Sequence, residues 1–218
     1  MAEYERANSI ICESCEKRFF KHINVFTVAN LDRIGSIVDG LLNETLNKVK
    51  CPLCKESFTF ELPFVAYTLK RGYAILALPS NNESFYISGK YDIYRIFRIN
   101  LPKFRLVSYQ CEVSEKIRIF ESGLNDYMIE YIKYKHFDKK YFLDKRESIL
   151  LFKEITEDSL VFEYRDFLGR VLEILTLSKS VYDNDVVFDE VQLTDKNEII
   201  WQRVDINYFK EKENAKEI

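Results

Sequence analysis

Two short cysteine turns constrain this chain more than any other feature: Cys12-Glu13-Ser14-Cys15 and Cys51-Pro52-Leu53-Cys54. A Cys-x-x-Cys turn holds two thiols on one side of a bent backbone, so two such turns supply four soft ligands in pre-formed pairs. The chemistry that asks for four thiolates is a single tetrahedral zinc ion, here held by Cys12, Cys15, Cys51 and Cys54. Any fold compatible with that site must bring two segments from the first quarter of the chain into contact.

The residues around the turns predict how this is done. Asn8 to Ile11 reads as a strand entering the first knuckle, and Lys17 to Val28 alternates as the strand leaving it. Asn30 is a plausible N-cap for a helix with Leu31, Ile34, Val38 and Leu41 at helical spacing, closed by Gly40 and Asn43. Thr45 to Lys50 leads into the second knuckle, and Ser57 to Leu62 alternates after it until Pro63 stops the strand. The 35 residues between Cys15 and Cys51 exceed the usual separation of roughly 15–20 residues, and the inserted helix accounts for the excess.

Beyond the knuckles, Phe64–Leu69 and Tyr73–Leu78 form a hairpin across Lys70-Arg71-Gly72, and strands are expected at 85–88 and 104–109. Val113, Ile117 and Phe120 mark a helix ended by Gly123. Leu124, Tyr127, Met128, Tyr131 and Ile132 follow i, i+3, i+4, i+7, i+8, the clearest amphipathic helix in the chain. Charged, aperiodic residues at 139–147 read as a linker, followed by strands at 149–155, 160–164 and 171–175 with Gly169 turning the last pair. Residues 178–191 are ambiguous, a strand is expected at 199–204 and a short helix from Ile206, and no internal repeat is evident.

The expected fold class is therefore α+β. An N-terminal four-cysteine zinc ribbon with an inserted helix is extended by a β-hairpin and two helices over residues 1–138, and a small acidic α+β domain occupies 148–218. At 218 residues with 14 Tyr and 17 Phe, the chain can bury a core, and metal need not supply all of its stability. Charge is uneven: residues 1–62, 63–146 and 147–218 sum to −1, +6 and −8. The basic middle and acidic end are candidates to dock on each other. The acidic N-terminus lacks an apolar leader and no run of about 18 apolar residues occurs, which with four paired cysteines predicts a cytoplasmic protein free of membrane spans. An excess of Ile over Ala, 21 against 7, reads as drift in an AT-rich bacterial genome.

Several of these stretches resemble the CpXC family of bacterial proteins, named for its cysteine knuckles. The likeness rests on Cys12-x-x-Cys15, Asn24-Val25, Gly40-Leu41-Leu42-Asn43, Cys51-Pro52-Leu53-Cys54 and Pro63. It continues through Glu115 to Phe120 and through Gly123-Leu124-Asn125-Asp126 to Glu130-Tyr131-Ile132-Lys133, spanning roughly residues 10–136 with a weaker echo at Val204-Asp205. Glu13 departs from the proline that the family name expects, at some cost in turn rigidity and none in thiols. The resemblance implies zinc and a fold, and supplies no catalytic residues.

The remaining candidates are limited by the chemistry they would need. Four cysteines fill a tetrahedral shell, whereas a catalytic zinc keeps a position open for water. A reactive dithiol usually opens a helix, and neither knuckle is expected to, so a thiol redox enzyme is the third reading. His22 near the first knuckle and His136 at a helix end read as idle, Cys111 as a small core residue. With two His and no Gly-x-Ser-x-Gly, Walker or dinucleotide fingerprint, no enzyme is expected. The leading expectation is a zinc-shaped module that binds an unidentified protein partner. The alternative is a nucleic-acid-binding surface in the stretch 85–109, where Lys90, Tyr91, Tyr94, Arg95, Phe97, Arg98, Lys103 and Arg105 interleave cations with aromatics around Phe104. An overall acidic chain argues against that alternative.

Overall fold

A computed structural model describes residues 4–33, 35–79, 101, 103–137, 139–142, 148–166, 168–184, 202–205, 208 and 209. The fold is mixed α+β, and the chain divides into two compact units: Met1–Ser114 with Ile199–Gln202, and Glu115–Glu198 with Arg203–Ile218. The division falls inside a helix, so the expected linker at 139–147 lies within the second unit. Residues Lys139–Phe142 form a 3-10 turn there, and Tyr141 is buried in that unit's core.

In the first unit, β1 (Tyr4–Ile11) and β2 (Arg18–Phe26) form an antiparallel pair across the first knuckle. Strands β4 (Lys48–Lys50) and β5 (Ser57–Thr59) do the same across the second. Between them lie β3 (Val28–Asn30) and helix α1 (Ser36–Leu42). The helix begins six residues later than Asn30 because Asn30 and its neighbours are spent elsewhere. Leu31 N–H prolongs the parallel ladder by donating to the Tyr67 carbonyl, and Asn30 Oδ1 accepts from Asp32 N in a local turn. Asp32 in turn closes the next hairpin, accepting from Thr68 Oγ1 at 2.5 Å and Leu69 N at 2.7 Å.

That hairpin, β6 (Phe64–Thr68) and β7 (Tyr73–Ala77), sits where the apolar alternation predicts. Its sheet is different from the expected one. Strand β3 pairs parallel with β6, and β8 (Lys103–Val107) pairs parallel with β7, giving the order β3-β6-β7-β8. The knuckle ladders are separate two-stranded sheets, so the hairpin extends neither of them. Parallel neighbours need both faces covered, which fits the continuous burial of Tyr73 to Ala77.

Helix α2 (Gln110–Glu121) starts in the first unit and ends in the second. Its first turn carries hydrogen bonds within the first unit: Gln110 Nε2 donates to the Leu46 carbonyl, Asn47 Nδ2 donates to Gln110 Oε1, and Ser114 Oγ donates to the Leu41 carbonyl. Asn47 adopts φ +58° and exchanges two 2.8 Å bonds with the Phe26 backbone, acting as a one-residue strand. Asparagine tolerates that left-handed conformation better than most residues.

The second unit packs α3 (Asp126–His136) and the antiparallel sheet β9 (Ser148–Ile155), β10 (Ser159–Asp166) and β11 (Val171–Ser178), in the order β11-β10-β9, with the short helix α4 (Ser180–Asn184) after it. Asn125 caps α3 by accepting from Tyr127 N at 2.9 Å. The core joins Ile119, Ile129, Ile132, Tyr141, Leu150, Phe152, Leu160 and Phe162. Beside these apolar residues lies a buried charge network. Lys116 Nζ donates to Glu130 Oε1 at 2.9 Å and to the Val204 carbonyl at 3.0 Å, and lies 3.7 Å from Asp126 Oδ2. Lys133 bridges Glu115 and Glu130, and Glu115 Oε1 also accepts from Phe152 N at 2.5 Å.

A second hydrophobic cluster joins Tyr127, Val204 and Phe209. Residues 208 and 209 are helical, and within 202–205 the only strand-like pairing is a bridge from Gln202 to Arg105. The strand expected at 85–88 lies outside the described residues.

Candidate metal centre

Each knuckle is built by the same local chemistry. Cys12 N donates to the Lys17 carbonyl at 3.1 Å and Glu16 N to the Cys12 carbonyl at 2.8 Å. In the second turn Cys51 N donates to Glu56 O at 2.8 Å and Lys55 N to Cys51 O at 3.1 Å. Glu16 and Lys55, the residues just after each cysteine pair, both take positive φ, 57° and 69°, which reverses the chain tightly enough to restart a strand. The correspondence extends into the flanking ladders, where Ile10 pairs with Phe19 and Val49 with Phe58, all four buried. These apolar pairs anchor the two turns in the unit's interior. Residues 10–19 and 49–58 are thus one motif built twice, a repeat hidden at the sequence level because almost every residue other than the cysteines has changed.

The two turns converge. Cys12 Sγ lies 3.6 Å from Cys54 Sγ and Cys15 Sγ lies 3.9 Å from Cys51 Sγ, with all four sulfurs within 4.8 Å of one another. A disulfide requires about 2.05 Å, so the cysteines are free thiols. Four sulfurs at about 2.3 Å from one ion in a tetrahedron stand about 3.8 Å apart, and the 3.6 and 3.9 Å separations match that edge. The four cysteines can therefore hold a metal ion. Cys12 and Cys51 are buried, while Cys15 and Cys54 reach the surface in part.

Electrostatics divide the two thiols of the second knuckle. Burial alone would raise the Cys51 pKa, but N–H groups of Cys54 and Leu53 and the thiols of Cys54 and Cys12 bring it down to about 6. Cys54 receives a backbone hydrogen bond from Glu56, yet burial and the three surrounding thiols push it up to about 12. A thiolate at Cys51 thus disfavours a second one at Cys54, whose sulfur lies within 4.8 Å. A cation removes that conflict.

Glu61 lies in the same unit and had no marking in the sequence. Burial pushes its pKa up to about 8, with Glu13 and Glu112 adding to the effect against a hydrogen bond from Gln110 N.

The other candidate residues are dispersed. His22 is exposed on β2 and outside the sulfur cluster, and His136 is exposed at the end of α3. Cys111 is half-buried on α2. Of the basic aromatic stretch, Lys90, Tyr91, Tyr94, Arg95, Phe97 and Arg98 lie outside the described residues. Lys103 is half-buried on β8. Arg105 departs from the expected surface role: it is 1% exposed, and Nη1 donates to the Phe104 carbonyl and Gln202 Oε1. Phe104 is buried in the core with Val65, Ala74, Leu76 and Leu101, so it offers no ring for base stacking. No helix among the described residues is long and apolar enough to cross a membrane.

No curated protein and no solved structure gives a significant match to the chain. A family model described as CpXC protein matches residues 10–133, which include all four cysteines and reach through helix α3 to the buried Lys133. That match spans more than half of the chain and coincides with the repeated knuckles, and the protein belongs to the CpXC family.

Proposed function

We propose that Cys12, Cys15, Cys51 and Cys54 bind one structural zinc ion, and that the chain works as a non-enzymatic interaction module whose contact surface the zinc holds in shape. The observation that carries the zinc reading is the match between the 3.6 and 3.9 Å sulfur separations and the edge of a tetrahedral four-thiolate site. Four thiolates leave no coordination position for a substrate or water, which favours a structural role over a catalytic one. Cytoplasmic residence agrees with ligands that must stay reduced.

The interaction reading draws support from what surrounds the site. Ile11 adjoins Cys12, Leu53 lies inside the second knuckle, and Phe20 on β2 is 82% exposed. Large apolar side chains displayed around a rigid metal turn are costly to solvate and suit a partner surface. Nucleic-acid binding loses ground, because Arg105 and Phe104 are buried.

Elemental analysis of the purified chain tests the metal. One zinc per chain, removed by chelator together with the near-UV CD signal of the first unit, is the expected result. Iron in its place, or a fold indifferent to chelation, overturns it. The interaction reading is tested by affinity purification from the native cell, followed by sizing with absorbance recorded at 260 and 280 nm. A defined protein complex that disperses when zinc is removed supports it, and a nuclease-sensitive complex overturns it.

A further inference from the structure

The three-stranded sheet of the second unit has two unlike edges. At β9 the Phe152 N–H donates to Glu115 Oε1, a carboxylate also held by Lys133, so buried side chains stopper that edge. Strand β11 borders β10 alone, and no described group pairs with its other side. It nevertheless displays Val171 at 47%, Leu172 at 56% and Ile174 at 63% exposure. Exposed sheet edges are normally blunted by lysine, proline or short length. Here a bulge at Leu172 interrupts only the beginning, and residues 173–178 run in unbroken register against 159–164. The single charge, Glu173, accepts from Tyr141 Oη at 2.9 Å.

From these features we infer that β11 is a homodimer edge, pairing antiparallel with β11 of a second copy to give a continuous six-stranded sheet. Continuity of the two cores fixes the geometry. Leu175 and Leu177 face the unit's core, yet stay half-buried because the sheet ends beside them. A two-fold axis perpendicular to the sheet must set a residue opposite its own copy, since opposed residues in an antiparallel pair share a face. Centred on Leu175, it brings Leu175 against Leu175 and Leu177 against Glu173 on the core side, and Ile174 against Thr176 on the other. Leu175 gains an apolar neighbour directly opposite, Leu177 lies against the aliphatic stem of Glu173 and diagonal to the second Leu175, and no like charges meet. Centred on Glu173 instead, it would oppose two carboxylates. The strand thus complements itself, which favours a second copy over an unrelated peptide. This inference does not rest on the metal site.

Sizing chromatography with light scattering at about 100 µM tests it. The expected mass is twice the 26.0 kDa of one chain. Ile174→Lys combined with Thr176→Lys opposes like charges twice across the axis at exposed positions, so it leaves the fold intact by far-UV CD and raises the dimer dissociation constant at least about 100-fold. Ile174→Cys combined with Thr176→Cys yields a disulfide-linked dimer under mild oxidation, absent from the parent chain. A parent chain that stays monomeric, a dimer untouched by the paired lysines, or a monomer that takes an unrelated extended peptide on β11 overturns the inference.

Discussion

The cysteine cluster of the first unit gathers four groups of one kind, whereas the charge network of the second gathers groups of both signs. Neighbouring thiolates repel, and a cation from outside can balance them. In the network, Lys116 and Lys133 face Asp126, Glu115 and Glu130, so most of the balance is internal. Burial alone would lower the Lys116 pKa, but Glu130, Asp126 and Glu115 hold it above its ordinary value. Glu115, by contrast, is raised by burial even with Lys133 facing it, so a proton there can neutralise the one excess acid. The comparison teaches that one centre is suited to balance by an added ion, and the other to balance among its own members.

The largest expected effect breaks the first half of that comparison. Structural zinc contributes roughly 10–16 kcal/mol of apparent binding free energy, far more than a small unit's net stability. Cys51→Ser is therefore expected to abolish metal binding and unfold the knuckle region while sparing the second unit. Limited proteolysis with mass mapping reads this directly, and protection of residues 10–60 without metal would refute it.

Next in size comes Lys116→Met, which takes an ammonium away from Asp126 and leaves Glu130 to share Lys133 with Glu115. Removing one partner from a buried pair costs about 3–5 kcal/mol, whereas replacing both partners with apolar groups is often far milder. Lys116→Met with Glu130→Leu should then recover much of the loss in denaturant unfolding. A single variant costing less than about 1 kcal/mol would show that the network is dispensable to its unit.

A smaller effect is expected at Asn47, a neutral counterpart to the charged centres. Asn47→Ala leaves Phe26 N–H and C=O and the Gln110 side chain short of partners, at about 1–3 kcal/mol. Asn47→Gly keeps the φ +58° backbone accessible and so separates lost hydrogen bonds from strain. Equal losses in the two variants would assign the whole effect to the hydrogen bonds.

The last effect is one of pH. Glu61 has a folded pKa of about 8 against an ordinary 4.5, so between these values the folded chain holds more protons than the unfolded one. Stability from this group is full below about pH 4.5 and falls as pH rises to about 8. Glu61→Gln should flatten that part of the profile and stabilise the first unit more at pH 8 than at pH 5. Parallel thermal-melting profiles for the two proteins would refute the assignment.

Much of this was legible in the residue order. The two Cys-x-x-Cys turns marked the four thiols that the fold brings together, and Gly123 and Gly169, at φ +70° and +79°, ended the elements expected of them. The amphipathic spacing from Leu124 to Ile132 located α3 to within two residues at its start. The charge network was illegible for a simple reason. Asp126, Glu130 and Lys133 recur at helical spacing, which is also the pattern of a solvated helix face, and nothing local reveals that they are buried.

What the sequence determined by itself is therefore what neighbouring residues decide: turn chemistry, the period of each element, and thiols paired by a three-residue step. Tertiary structure alone decided which surfaces meet. It set the hairpin beside β3 and β8 rather than the knuckle strands, spent Asn30 on a turn, and buried Arg105 against Gln202. It also placed Glu115 against the backbone of Phe152, 37 residues away. A charge on a strand or helix has the same local pattern whether water or another segment solvates it, and only the fold chooses between them.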